Sequence, residues 1–310
     1  MTKLDEPPEP PPGPLPGPFG PTPAQSEEFT RTNNRSTVND YLPRTFHDGV
    51  GAAGKCEWSS HVASNLTTEE TGALAWVLID TIMKARFGPA AQLYATWRDH
   101  TLAGQKIPSP TDDIIASFVE PVFGRPDKPK SVDHLHGHIG EWLWHLLTKD
   151  NPAVRVQPDP KGDVTDAGSD GFSIYATSTG ALRFRLWESK KYTGSRSPST
   201  SLNKAYKQLA KDGQRYVAKI VGSLTPASNH TDEIVTFITE VPEAWARGDE
   251  FVGAGVTLST HQRLTKKPFK KMAAELPLLD KPGQLRGLAA SISCYDELAK
   301  LVRSYAWIAL

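Results

Sequence analysis

Read for the spacing of its apolar positions, the chain begins without a core. Its first 25 residues, MTKLDEPPEPPPGPLPGPFGPTPAQ, are dominated by proline, which removes backbone donors and favours an extended chain with little to bury. They predict a disordered tail over 1–30. From about 30 to 66 the pattern is polar and weakly periodic, and it predicts no element. Helical spacing becomes legible at TTEETGALAWVLIDTIMKARFG, where Thr67 and Glu70 form a capping box and Gly88-Pro89 stops the run. Further helices are expected at about 90–103 and 111–123, the second with Asp112 and Asp113 at the positive end of its dipole. The Pro/Lys/Asp-rich stretch GRPDKPK at 124–130 reads as a link. A mainly helical region is therefore expected over 31–130 and an α/β core, a mixed sheet flanked by helices, over 131–310.

The core opens with HLHGHIGEWLWHLLTKD, whose Ile139, Trp142, Leu143, Leu146 and Leu147 form one helical stripe suited to packing on a sheet. His138, Glu141 and His145 lie on another side at spacings of three and four. They suit an ordinary polar face or, alternatively, a transition-metal site of the Zn²⁺ kind. The stretch GSDGFSIYATSTGALRFRLWESKKYTG, residues 168–194, then alternates with period two about a Ser178-Thr179-Gly180 turn and predicts a hairpin. Asp170, Phe172, Ile174 and Ala176 share a face, and so do Leu182, Phe184, Leu186, Glu188 and Lys190. Arg183, Arg185, Trp187 and Ser189 point the other way. A basic helix is expected from about 201 to 221. Strands are expected at EIVTFITEV (233–241) and FVGAGVTLS (251–259), and a largely apolar helix from Arg286 to the end.

Composition narrows the classes. At 38% hydrophobic, the 310 residues suffice for one large domain or two modest ones, and the formal net charge is zero. Any nucleic-acid surface must therefore be local. Between Arg183 and Lys219 there is such a surplus, ten Lys/Arg against two acids, with Lys204, Lys207, Lys211 and Arg215 on one helix face and Lys191 nearby in sequence. A second basic run, HQRLTKKPFKK at 261–271, extends it. Cys56 and Cys294 are too few and too far apart for a disulfide scaffold or a metal motif. The longest apolar run is too short to span a bilayer, and the amino end lacks a signal peptide's apolar core, so a cytoplasmic protein is expected.

Two acids and a lysine that continue apolar faces raise the question of what stabilises them, because a buried unpaired charge costs several kcal/mol or shifts its pKa. A divalent cation offers one answer. Carboxylates of Asp170 and Glu188, on adjacent strands, suit Mg²⁺ with its waters, Mn²⁺ substituting, and Lys190 is placed to orient water or offset charge on phosphorus.

In this order, a helix, a strand beginning in Asp and a strand ending in Glu-x-Lys, the residues resemble the PD-(D/E)XK nucleases of restriction-endonuclease-like fold. The resemblance covers about 134–220. It implies catalytic roles for Glu141, Asp170, Glu188 and Lys190, metal ligation by Asp170, Glu188 and Glu141, a supporting role for Gln208, and a nucleic acid, DNA in preference to RNA, as the partner. Ser169 stands where the family motif has proline. A literal Pro158-Asp159 lies in QPDPKGD, where flanking prolines indicate a loop, so Asp170 is preferred to Asp159. The same stretch is similar to the HamA nucleases of Hachiman antiphage systems, which implies a HamB-like helicase partner that restrains the enzyme. The alternative is a non-catalytic nucleic-acid-binding or regulatory protein with a degenerate site.

Overall fold

The computed structural model describes residues 20–48, 55–160, 170–194, 197–224, 231–264 and 267–310. In chain order they form α1 (Pro23–Thr32), α2 (Val38–Tyr41), β1 (Arg44–Asp48), β2 (Glu57–Ala63), α3 (Thr68–Phe87), α4 (Ala91–Ala103), α5 (Thr111–Phe123) and α6 (Val132–Lys149). There follow β3 (Val154–Val156), β4 (Gly171–Ala176), β5 (Leu182–Tyr192), α7 (Ser199–Leu224), α8 (Asp232–Arg247), β6 (Val252–Thr260), α9 (Met272–Glu275), β7 (Leu285–Ile292) and α10 (Tyr295–Trp307). The strands make one mixed sheet in the order β1-β2-β7-β6-β5-β4-β3. β2, β7, β6 and β5 run parallel, and the β1–β2, β3–β4 and β4–β5 pairs are antiparallel.

Alternation along the strands divides the core in two. Phe184 and Leu186 of β5, with Phe172 and Ile174 opposite them on β4, pack with Leu202, Tyr206 and Leu209 of α7. Trp187 belongs to the other cluster, with Trp142 and Trp144 of α6 and the apolar residues of α3 and α10. Two glycines make room for the stacked indoles of Trp187 and Trp144. A Cβ on Gly255 would lie 2.1 Å from the Trp187 ring, and one on Gly171 would lie 2.6 Å from Trp144, which stacks on Trp187 at 5.4 Å. Every residue of β6 is buried, as a central parallel strand requires.

Several sequence expectations change. The 233–241 segment is helix α8, not a strand. Its β-branched residues suggest extension, but Ile238, Val241, Ala244 and Trp245 are buried at helical spacing, Asp232 and Glu233 suit its first turn, and Gly248 closes it at φ 65°. The last 25 residues are not one helix, since β7 precedes α10 and Leu285–Ile292, apart from Arg286, is buried on both faces of the sheet. The basic helix is longer than expected, Ser199–Leu224. Residues 1–19 of the proposed tail lie outside the described residues, but order begins within the 1–30 span. Thr22 and Gln25 cap α1, and Ser26, buried, bonds the Tyr305 hydroxyl at 2.9 Å. The amino region also holds β1 and β2, and β2 pairs in parallel with β7, so strands from both sides of the 124–130 segment share one sheet.

Candidate active site

The site forms where β4 and β5 part. Their register pairs Gly171 with Trp187 and ends there, so beyond Trp187 β5 keeps only β6 beside it. Asp170 takes over the next ladder bond. Its Oδ2 accepts the Ser189 N–H at 2.5 Å, which holds the carboxylate beside Glu188. Glu188 continues the apolar face of Phe184 and Leu186 and is 1% exposed. Lys190, two residues on, donates from Nζ to Glu188 Oε1 and, at 3.4 Å, to Gln208 Oε1 of α7. Gln208 is oriented in turn by donation from Nε2 to the Tyr216 hydroxyl at 3.4 Å. Glu141 of α6 completes the group electrostatically, since its carboxyl feels Asp170, Glu188 and Lys190. α6 reaches this position because Gly140 allows close approach to β6. A Cβ there would meet Ser259 Oγ at 3.3 Å and the Tyr295 hydroxyl at 3.5 Å.

Burial and mutual repulsion govern the charges. Desolvation pushes Glu188 up to about 8, with Asp170 adding to the rise and Lys190 opposing it. Asp170 is raised to about 6, mainly by burial, while Lys190 and the Ser189 N–H hold it down. Glu141 is raised well above the usual carboxylate range by desolvation and then by Asp170 and Glu188. For Lys190, burial favours the neutral amine, yet the Glu188, Asp170 and Glu141 charges outweigh it and raise the value. One lysine therefore faces three carboxyl groups. Glu188 Oε2 remains buried without a partner, which is the kind of atom a hard cation satisfies. Glu141, Asp170, Glu188, Lys190 and Gln208 are brought to one place, with Glu188 deepest and Lys190, its side chain 24% exposed, at the mouth. Among the described residues, however, no three His, Cys, Asp or Glu side chains close into a ligand set. Of the three carboxyl groups, Asp170 and Glu188 are tied directly to β5, and Glu141 is linked to them through their charges.

Asp159, His138 and His145 lie in surroundings of their own. Asp159, its side chain 55% exposed, lies 3.1 Å from His145 Nε2, and that imidazole holds its carboxyl below the usual range. His145 Nδ1 also meets Gln157 Nε2 at 3.2 Å. His138 is buried between Phe123 and Trp142, and burial pushes it down to about 3. The two imidazoles and Glu141 thus serve different surroundings and do not form the Zn²⁺ site considered above. Lys204, Lys207, Lys211 and Arg215 are exposed along α7, with Arg215 3.3 Å from Asp212. Lys191 does not join them. It falls on the α6 side of β5 and pairs with Asp133. The 261–271 run contributes Arg263, Lys267, Lys270 and Lys271 to a cavity of about 580 Å³ against the amino end of α7. The Ser189 amide carried no sequence signal, because any residue but proline supplies one.

No protein-family model matches the chain, and no curated protein sequence matches it. Among the described residues no helix is long and apolar enough to cross a membrane.

Proposed function

We propose that the protein is a Mg²⁺-dependent nuclease, cleaving DNA on a restriction-endonuclease-like core of the PD-(D/E)XK kind. The observation that carries this is the convergence of Asp170, Glu188 and Lys190 at the carboxyl end of β5, with one Glu188 oxygen buried and unpartnered. The order α6, antiparallel β3–β4–β5, α7 and a parallel β6 supports the fold assignment. Asp170 and Glu188 would hold Mg²⁺, or Mn²⁺ in its place. A bound ion supplies Lewis-acid polarisation of a phosphoryl oxygen and makes water more acidic. Glu141, held toward its protonated form by burial and by Asp170 and Glu188, would be a third carboxyl that a cation's charge helps to ionise. Lys190, kept protonated by its neighbours and steadied by Gln208, places a positive charge where negative charge would grow on the phosphoryl group. The exposed cations of α7, continued by the cavity at its amino end, suit the phosphate backbone.

The narrower resemblance to HamA extends the proposal to antiphage defence, with a HamB-like helicase restraining the nuclease. Co-purification with a helicase encoded beside it, and release of cleavage when the two are separated, would support that extension. A second reading, binding without turnover, draws on the lack of a three-ligand set among the described residues. Plasmid cleavage in Mg²⁺, Mn²⁺ or EDTA separates the two. Turnover that needs the divalent ion and is lost in Lys190→Ala supports the nuclease, whereas binding with no turnover in either metal sinks it.

A further inference from the structure

A second cluster of charge lies near the amino end of β5, on the face away from Glu188. There a cavity of about 410 Å³ opens beside the last turn of α6, walled by β1, β2, β4, β5 and β7. Arg44, Arg185, Arg286, His47 and His61 line it, and no Asp or Glu does among the described residues. Burial lowers His61, whose Nδ1 lies 3.0 Å from the carbonyl of Leu42, so the fixed charge in the wall comes from the guanidiniums.

Arg185 is the unusual member. It is 3% exposed, and its Nη2 donates only to neutral oxygens, the Tyr175 hydroxyl and the Gly283 carbonyl, both at 2.7 Å. Its Nε is buried without a partner. No carboxylate forms a salt bridge with it among the described residues. Glu57 adds a longer-range attraction but sits 3.8 Å from Arg286, so one acid answers for two arginines. A buried guanidinium so placed is costly unless an anion reaches it. Several planar guanidiniums together favour the multiply accepting, tetrahedrally arranged oxygens of a phosphate.

We propose that this cavity binds a phosphorylated small molecule of about nucleotide size, its phosphate held by Arg185, Arg286 and Arg44. The volume falls in the range of small-molecule sites, and Asn39 and Asn151 in the same wall can pair with the remainder of such a ligand. Nothing here depends on the nuclease assignment. The test is calorimetric titration of the full chain with AMP and with pyrophosphate in EDTA, which keeps divalent metal out of the measurement. The expected result is saturable binding of AMP, one per chain, at least as tight as that of pyrophosphate. Replacing Arg185 puts the fold at risk, so the partly exposed Arg286→Gln and the exposed Arg44→Gln are the informative variants. Each should weaken AMP binding about tenfold or more, while Lys207→Glu on α7 leaves it unchanged. No saturable heat with AMP, affinity indifferent to both arginine variants, or loss in Lys207→Glu would each overturn the site.

Discussion

Toward its carboxyl end β5 carries the Glu188 carboxylate into the protein with one oxygen unpartnered, and three residues earlier it carries in the Arg185 guanidinium with one nitrogen unpartnered. The odd spacing puts the two on opposite faces of the strand, so they cannot neutralise each other. Their neighbours deepen the difference. Glu188 is surrounded by Asp170, Glu141 and a single lysine, whereas Arg185 shares its cavity with Arg286 and Arg44. A core arranged for stability alone would bury neither charge, or would pair both. What differs between the two ends is the sign of the buried charge, negative at one and positive at the other.

The largest expected effects break the acidic end. Lys190→Ala and Glu188→Gln should each lower plasmid cleavage by at least about a hundredfold, with circular dichroism unchanged. Stability should respond in the opposite sense for one of them. Glu188→Gln removes a carboxylate that burial penalises and keeps an oxygen for Lys190, so its melting temperature in EDTA at pH 8 should exceed that of the parent. A lower one would show that Glu188 serves the fold. Asp170→Asn should also be inactive, and Asp159→Asn, exposed beside His145, should retain activity; the reverse pattern would move the site to the Pro158-Asp159 loop.

These two ends were not equally legible in the sequence. The acidic end follows from a hairpin whose period and turn are local, so the shared face of Asp170, Phe172, Phe184, Leu186, Glu188 and Lys190 could be read residue by residue. For Arg185 the same alternation gave only the opposite face. That β1 and β2 would come from over a hundred residues away to help wall that face is a matter of distant pairing, and the weakly periodic 30–66 stretch gave no sign of it. α8 and β7 depart from the sequence pattern for related reasons. A run such as Ile234-Val235-Thr236 imitates a strand until the buried positions out to Trp245 are counted, and a strand buried on both faces, such as β7, loses the alternation that would mark it.

A smaller effect tests how substrate would approach the acidic end. If exposed α7 lysines contact phosphates, Lys204→Glu with Lys207→Glu should weaken binding to unrelated DNA sequences alike and reduce the slope of log affinity against log salt by about two. Melting temperature should barely move, since both side chains are exposed. Lys191→Ala, which loses a contact with Asp133 on the other side of β5, should leave that slope unchanged. An unaltered slope in the double variant would return the α7 face to solvent.

The smallest effect, and the sharpest for the comparison, is in pH. Asp170 and Glu188 hold protons more tightly folded than unfolded, so the stability they lend is full below their ordinary values of 3.8 and 4.5 and is lost as pH rises through about 6 and about 8. Metal-free protein should therefore melt progressively lower across that window. Mg²⁺ bound as proposed would take the ionised carboxylates, so its binding would displace whatever protons they still carry and become easier as they ionise. The rise in melting temperature given by a fixed Mg²⁺ concentration should accordingly be a few degrees greater at pH 8 than at pH 6. Glu188→Gln should flatten that dependence, whereas Arg286→Gln should leave it intact, because the guanidiniums of the other cavity do not titrate in this range. Equal Mg²⁺ stabilisation at both pH values would mean that the ion, if it binds, does so away from Asp170 and Glu188.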